Sequence, residues 1–206
     1  MSELSGFHFI VGGIEASLPP LVLLHGSSGR ETDLIPFAGE AAPQRCYVAL
    51  RGGIEWEAGF AFFRRNADRS LDYSDLADQT DLLCQFIGSA MVTGVLRQPP
   101  ILMGFSNGAI MAASILRRQP SPASGAILMR PLSPAPAGAF PHMTGMPILI
   151  TAGELDQRRD PDDAILVKKQ FEASGATVSA YTLPTDHGLH RNEASIVADW
   201  LARKES

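Results

Sequence analysis

The chain is poor in cysteine, in lysine-rich runs and in long apolar stretches, and each shortage excludes a class of function. Only Cys46 and Cys84 occur among 206 residues, and they do not have the spacing of metal ligands. Cys46 precedes an apolar run and Cys84 falls inside a helical pattern, so both are expected as buried thiols and not as a bridge. No cluster that would hold Mg²⁺ or Zn²⁺ is visible, and the expectation is a protein without metal or cofactor. The formal net charge is -5 with no lysine-rich run, so nucleic acid is not an expected partner. The N-terminus has no basic region leading into an apolar run, and no apolar stretch approaches membrane-spanning length. No membrane anchor is therefore expected, and the cytoplasm is the expected compartment. Neither an internal repeat nor a low-complexity tail interrupts the chain. A hydrophobic content of 45% against 19% charged is ordinary for a globular protein, and this length is expected to form one domain, 1–206.

What is present is an alternation of apolar strands and amphipathic helices. Phe7–Val11 reads as an antiparallel edge strand. Leu21–Leu24, Tyr47–Leu50, Pro100–Gly104, Gly125–Met129, Pro147–Thr151 and Thr177–Leu183 follow as strands. Helices are expected near Asp33–Ala41, Tyr73–Val92, Asn107–Arg118, Pro161–Ser174 and Arg191–Arg203. In the second, Leu76, Leu83, Phe86 and Ile87 share one face at helical spacing, which marks it as core. Such alternation implies an α/β fold with a mostly parallel sheet and helices on both faces. Ligands of such folds bind at the carboxyl ends of the strands.

One strand end carries chemistry. Ile101 to Met111 reads as an apolar strand, then Gly104-Phe105-Ser106-Asn107-Gly108, then a small-residue helix. Glycines two residues either side of a serine allow the sharp strand-to-helix turn that lifts the hydroxyl out of the fold. The helix aims its N-terminal N–H groups at any oxyanion formed there. A base and an acid are then needed. Asp156 lies three residues past the glycine that ends the Met146–Gly153 run, and His187 stands in the loop after the Thr177–Leu183 strand. Ser106, Asp156, His187 is the chain order of an α/β-hydrolase triad. Glu154 and Asp160 are alternatives for the acid, and His190, His142, His25 and His8 for the base. Of the histidines, only His187 occupies a strand-end loop near the C-terminus. The Leu21–Leu24 strand runs into His25-Gly26-Ser27-Ser28-Gly29, and an oxyanion hole is expected from the backbone N–H groups of Ser27 and Asn107. His25 is expected to brace that loop.

These motifs resemble the phospholipase/carboxylesterase family of α/β-hydrolases: the Leu-His-Gly loop, Gly-Phe-Ser-Asn-Gly, Ala152-Gly153-Glu154-Leu155-Asp156 and Asp186-His187-Gly188. Leu50-Arg51-Gly52-Gly53, Phe60 to Arg65 and Leu128-Met129-Arg130-Pro131 are similar to its small bacterial branch of predicted carboxylesterases, which includes hydrolases linked to quinone stress. The resemblance implies an α/β-hydrolase fold with no separate lid domain. It also implies a serine carboxylesterase that works through an acyl-enzyme on small soluble esters without a cofactor. A lysophospholipase or acyl-thioesterase on the same triad is the alternative, and a catalytically silent ligand-binding protein is the alternative of another class. Ser28 departs from the family's loop, where glycine is expected.

Two linking segments remain to build a substrate pocket. Arg51–Arg69 holds Trp56, Phe60, Phe62 and Phe63, read either as an apolar wall or, for Phe62 and Phe63, equally as packing over the sheet edge. Arg64 and Arg65 in it are expected to be solvated or braced by Asp68. Arg130–Pro147 contains five prolines and is expected as an irregular loop, with Leu132 and Phe140 closing the other side. Apolar side chains exposed there would suit a homodimer interface, an arrangement the family uses.

Overall fold

Val22 and Leu24 point to one side of their strand and Leu21 and Leu23 to the other, and all four are buried. A strand buried on both faces must be covered by helices on both faces, and the rest of the architecture follows from that. The computed structural model describes residues 2–14, 17–68 and 70–203; the Arg69 end of the predicted aromatic loop and the chain ends at 1 and 204–206 lie outside them. In chain order the elements are β1 (Ser2–Leu4), β2 (Phe7–Gly12), β3 (Leu21–Leu24), α1 (Ile35–Ala41), β4 (Tyr47–Leu50), β5 (Ile54–Trp56), β6 (Gly59–Ala61), α2 (Tyr73–Val92), β7 (Ile101–Phe105), α3 (Asn107–Leu116), β8 (Gly125–Met129), β9 (Pro147–Gly153), α4 (Pro161–Ala173), β10 (Thr177–Leu183) and α5 (Glu193–Ala202). Eight strands form one sheet in the order β1-β2-β4-β3-β7-β8-β9-β10, while β5 and β6 make a separate hairpin. From β4 to β10 every pairing is parallel, and β2 and β1 are added antiparallel.

Two apolar layers flank the sheet. One gathers Val22, Leu24 and Leu128 with side chains of α2, α3 and α4; the other gathers Leu21, Leu23 and Leu149 with α1 and α5, where Trp200 is the largest buried side chain. In the first layer Phe86 meets Phe7 and Phe9 edge-on, at ring separations of 5.8 and 5.7 Å. Each such pair adds about 0.5–1.5 kcal/mol beyond burial. All ten residues of α3 are buried, and the alanines and glycine of this helix allow it to lie close against the sheet.

The strands and helices read from the sequence lie where expected to within two residues at each end. Two features differ. Phe7–Gly12 is not the edge, because β1 pairs outside it, and the aromatic loop contains the β5–β6 hairpin. Three-residue strands carry too little periodicity to be read. Cys46 and Cys84 are free but half-buried, where buried thiols are expected from the sequence, and partial burial pushes the Cys84 thiol up to about 11. No helix among the described residues is long and apolar enough to cross a membrane.

Candidate active site

The turn after β7 is built by two glycines that admit no side chain. A Cβ on Gly104 would lie 2.3 Å from the Gly108 carbonyl oxygen, and one on Gly108 would lie 2.0 Å from the Leu24 carbonyl oxygen. These close approaches let β3, β7 and α3 converge, and they leave Ser106 between them at φ 52° and ψ −106°. A side-chain-bearing residue seldom adopts that backbone, and it costs on the order of 1–3 kcal/mol. The strained turn presents the Ser106 hydroxyl at the carboxyl edge of the sheet, as the sequence reading expects of this motif.

Asp156 and His187 reach the same place because the ends of β9 and β10 are fastened together. Glu154 N–H donates to Leu183 O at 2.8 Å and Leu155 N–H to Thr185 O at 3.0 Å. His187 Nε2 lies 2.9 Å from Ser106 Oγ, and His187 Nδ1 lies 2.8 Å from Asp156 Oδ2. The Asp156 side chain is 3% exposed and that of His187 14%. Burial lowers the His187 pKa below its ordinary value; the hydrogen bond and charge of Asp156 oppose this, while Arg159 and Arg158 add to it. Of the rival acids, Asp160 is the N-cap of α4, paired with Asp163 in a capping box, and Glu154 is exposed. The structure thus brings together Ser106, His187 and Asp156 and leaves the other carboxylates occupied or outside.

Around the β3–α1 loop, His25 is buried and neutral in character. Its Nδ1 is 2.6 Å from Gly26 O, its Nε2 accepts from Gly52 N–H at 2.9 Å, and burial lowers its pKa. That is the bracing role expected from sequence. Gly108 N–H donates to His25 O at 3.1 Å, which ties this loop to the serine turn. Among the described residues, no backbone acceptor lies on the N–H of Ser27 or of Asn107. The Asn107 side chain faces away, with Oδ1 accepting from Phe62 N–H at 2.8 Å. Ser28 sits at φ 63°, a left-handed conformation that explains why glycine is the expected residue there. Its hydroxyl donates to Glu57, so the β5–β6 hairpin clamps the loop. Phe60 N–H adds a bond to Gly29 O at 2.9 Å.

The aromatic residues divide. Trp56 and Phe60 are half-buried on the hairpin, with the Arg51 guanidinium 4.6 Å and the Arg30 guanidinium 5.6 Å from the Phe60 ring centre. Phe62 and Phe63, read as a possible wall, are instead core residues at 1% and 0% exposure, and Phe62 packs on His25. Phe140 is not brought to the triad. It packs edge-on against Phe171 and beside Lys169 and Ala173, at the C-terminal end of α4, about 18 Å along that helix from the Asp156 end. The loop from β8 has by then crossed to the other edge of the sheet. Leu132, nearer the start of the same loop, packs half-buried on the core. Arg64 is braced by Asp75 and not by Asp68, whose carboxylate holds Ser70.

Two arginines were missed as site residues. Arg159 donates from Nη2 to Ser106 Oγ at 3.0 Å and from Nε to Arg130 O at 3.0 Å. Arg130, at φ 56°, is fully buried against Glu193, and its Nη2 also donates to Gly188 O beside the histidine. Glu193 in turn accepts from Thr151 and from His190 N–H. This cluster holds both ends of the His187 loop. For Arg130 the signals in the sequence were its place directly after a buried strand and its membership of the Leu128–Pro131 stretch; Arg159 gave none.

Comparison with known proteins gives the family and the fold. The sequence profile of the phospholipase/carboxylesterase family matches residues 8–204. The Bacillus subtilis (strain 168) protein MhqD is 32% identical over 181 residues, 87% of this chain and 90% of that one. The crystal structure of the Bacillus cereus carboxylesterase superposes with a TM-score of 0.91 at 28% identity, covering 96% of this chain and 94% of that one. That of a carboxylesterase from Mesorhizobium loti gives 0.88 at 30% identity, covering 98% and 97%. The parallel sheet with its flanking helices is the α/β-hydrolase fold, and a hydrolase of the esterase type is what these relatives support. The chain belongs to the phospholipase/carboxylesterase family.

Proposed function

We propose that the protein is a serine carboxylic-ester hydrolase that acts on small soluble esters through Ser106, His187 and Asp156. The observation that carries this reading is the unbroken chain from Ser106 Oγ through both ring nitrogens of His187 to Asp156 Oδ2. Asp156 accepts a hydrogen bond from Nδ1–H, which leaves Nε2 as the base toward the serine hydroxyl. Attack of Oγ on the ester carbonyl carbon moves the hydroxyl proton to Nε2 and places negative charge on the carbonyl oxygen. The N–H groups of Ser27 and Asn107 receive that charge, aided by the N-terminal dipole of α3. Nε2–H then protonates the leaving alcohol, and an acyl-serine remains. Water repeats the sequence, giving its proton to His187 as it attacks, and Ser106 is regenerated. No step calls for a metal or an organic cofactor. Trp56 and Phe60 on the hairpin supply the apolar surface for the ester.

Labelling with a fluorophosphonate tests the reading directly. Covalent modification confined to Ser106, and abolished in His187→Ala, is expected of an activated nucleophile. A folded protein that takes up no label would mean a ligand-binding protein on this scaffold.

A further inference from the structure

We infer that Arg159 is a receptor for a substrate carboxylate, so that the preferred esters carry a negative charge within one to three bonds of the ester group. The inference rests on the esterase reading and narrows its substrate class.

The Ser106 hydroxyl has one proton, which belongs to His187 Nε2, so the 3.0 Å contact with Arg159 Nη2 has the arginine donating. That bond cannot last through a turnover. Once Oγ is acylated it becomes an ester oxygen, a weak acceptor, and the guanidinium beside it must find another partner. The protein does not offer one. Arg159 takes part in no ion pair among the described residues; its bonds go to Ser106 Oγ and to the backbone oxygens of Arg130 and Arg158. The nearby carboxylates are engaged elsewhere, Asp156 with His187 and Arg158 N–H, and Asp163 with Asp160 N–H.

Burial, and after it Arg65, push the Arg159 pKa down to about 10, with Arg158 adding to this and Asp156 and Asp163 opposing it. It stays protonated at neutral pH, so one guanidinium charge is held in direct contact with the nucleophile. A carboxylate close to the ester carbonyl would meet the guanidinium at about 2.8 Å when the carbonyl sits on Ser106. A neutral ester would leave a partly desolvated cation without an anion.

Titration of released acid on paired substrates tests this. Monomethyl succinate against methyl butyrate places the charge on the acyl side, and acetoxyacetate against propyl acetate places it on the alcohol side. In at least one pair the charged ester should have a kcat/KM higher by about ten-fold or more, as expected of a charge-assisted hydrogen bond. Arg159→Met should reduce that ratio to near unity, with the neutral ester losing far less, and Arg159→Lys should retain part of it. Should Arg159→Met not fold, competitive inhibition of the unaltered enzyme by succinate but not succinamide gives the same answer. An enzyme that labels at Ser106 yet has no preference for charged esters, or whose preference survives Arg159→Met, overturns the inference alone. Equal inhibition by succinate and succinamide does so as well. A protein that neither labels nor cleaves any ester overturns the esterase reading with it.

Discussion

Arg130 and Glu193 form a doubly hydrogen-bonded ion pair, with nitrogen–oxygen distances of 2.8 and 3.0 Å and both side chains wholly removed from water. Removing one partner strands a buried charge, so Glu193→Gln or Arg130→Met should cost about 3–5 kcal/mol of stability. The pair also holds Gly188 O and His190 N–H on either side of the His187 loop, so kcat should fall too, by up to about 100-fold. In the double variant Arg130→Met/Glu193→Leu much of the stability should return while kcat stays low. Urea titration beside steady-state kinetics separates the two effects. Recovery of both together would mean that the pair does not position the loop.

Replacing Ser106 or His187 with alanine should lower kcat by roughly 10³-fold or more, and the double replacement should add little, because the members act as a unit. Activity near the original level in Ser106→Ala would refute the mechanism.

Asp156→Asn should lower kcat substantially by misorienting His187. Asp160→Asn should leave activity almost unchanged, since asparagine caps a helix about as well as aspartate. The opposite ranking of the two kcat values would identify Asp160 as the acid.

The pH profile follows from the lowered pKa of His187. The base form is the neutral imidazole, so depression of its pKa extends activity to lower pH. The acid limb of kcat/KM should therefore have its midpoint below the ordinary histidine value of about 6.5. Asp156 raises this pKa, so Asp156→Asn should move the limb lower still. Arg159 lowers it, so Arg159→Met should move the limb up. A midpoint above 6.5 in the unaltered enzyme would contradict this (the reference value is about 6.5).

Acyl-chain preference follows from how little roofs the triad. Each methylene buried would gain about 0.8 kcal/mol, and the apolar surface we assign to the site, Trp56 and Phe60 on the β5–β6 hairpin, is small. We expect kcat/KM to peak from acetyl to roughly hexanoyl or aryl esters and to decline beyond, as the available apolar surface is filled. A steady rise out to palmitoyl esters would favour a lysophospholipase.

Ser106 and Asp156 were legible because each follows an apolar run that reads as a buried strand, and His187 because it stands in the loop after the alternating Thr177–Leu183 strand at the sheet's edge. Strand ends in a parallel sheet lie on one side. Arg159 was not legible, because a loop arginine has no periodicity, and its meeting with Ser106 depends on how the β7, β8 and β9 ends fan out. The Arg130–Glu193 pair, 63 residues apart, looks in sequence like two ordinary charged residues at element ends. Phe62 and Phe63 were ambiguous because adjacent aromatics leaving a short strand can both turn inward once the chain bends. Phe140 was misplaced because the loop that carries it traverses the full height of the sheet, and composition does not reveal how far along that crossing a residue lies.

The backbone of Ser106 has a consequence for how this protein can change. At φ 52° and ψ −106° the site suits glycine better than any residue able to act as a nucleophile. Selection for thermal robustness and selection for chemistry therefore pull in opposite directions at this single codon. Any lineage released from the need to hydrolyse esters has a mutation here that relieves strain as it abolishes function. Loss of the serine alone, with the remainder of the site intact, would be the signature of such a release.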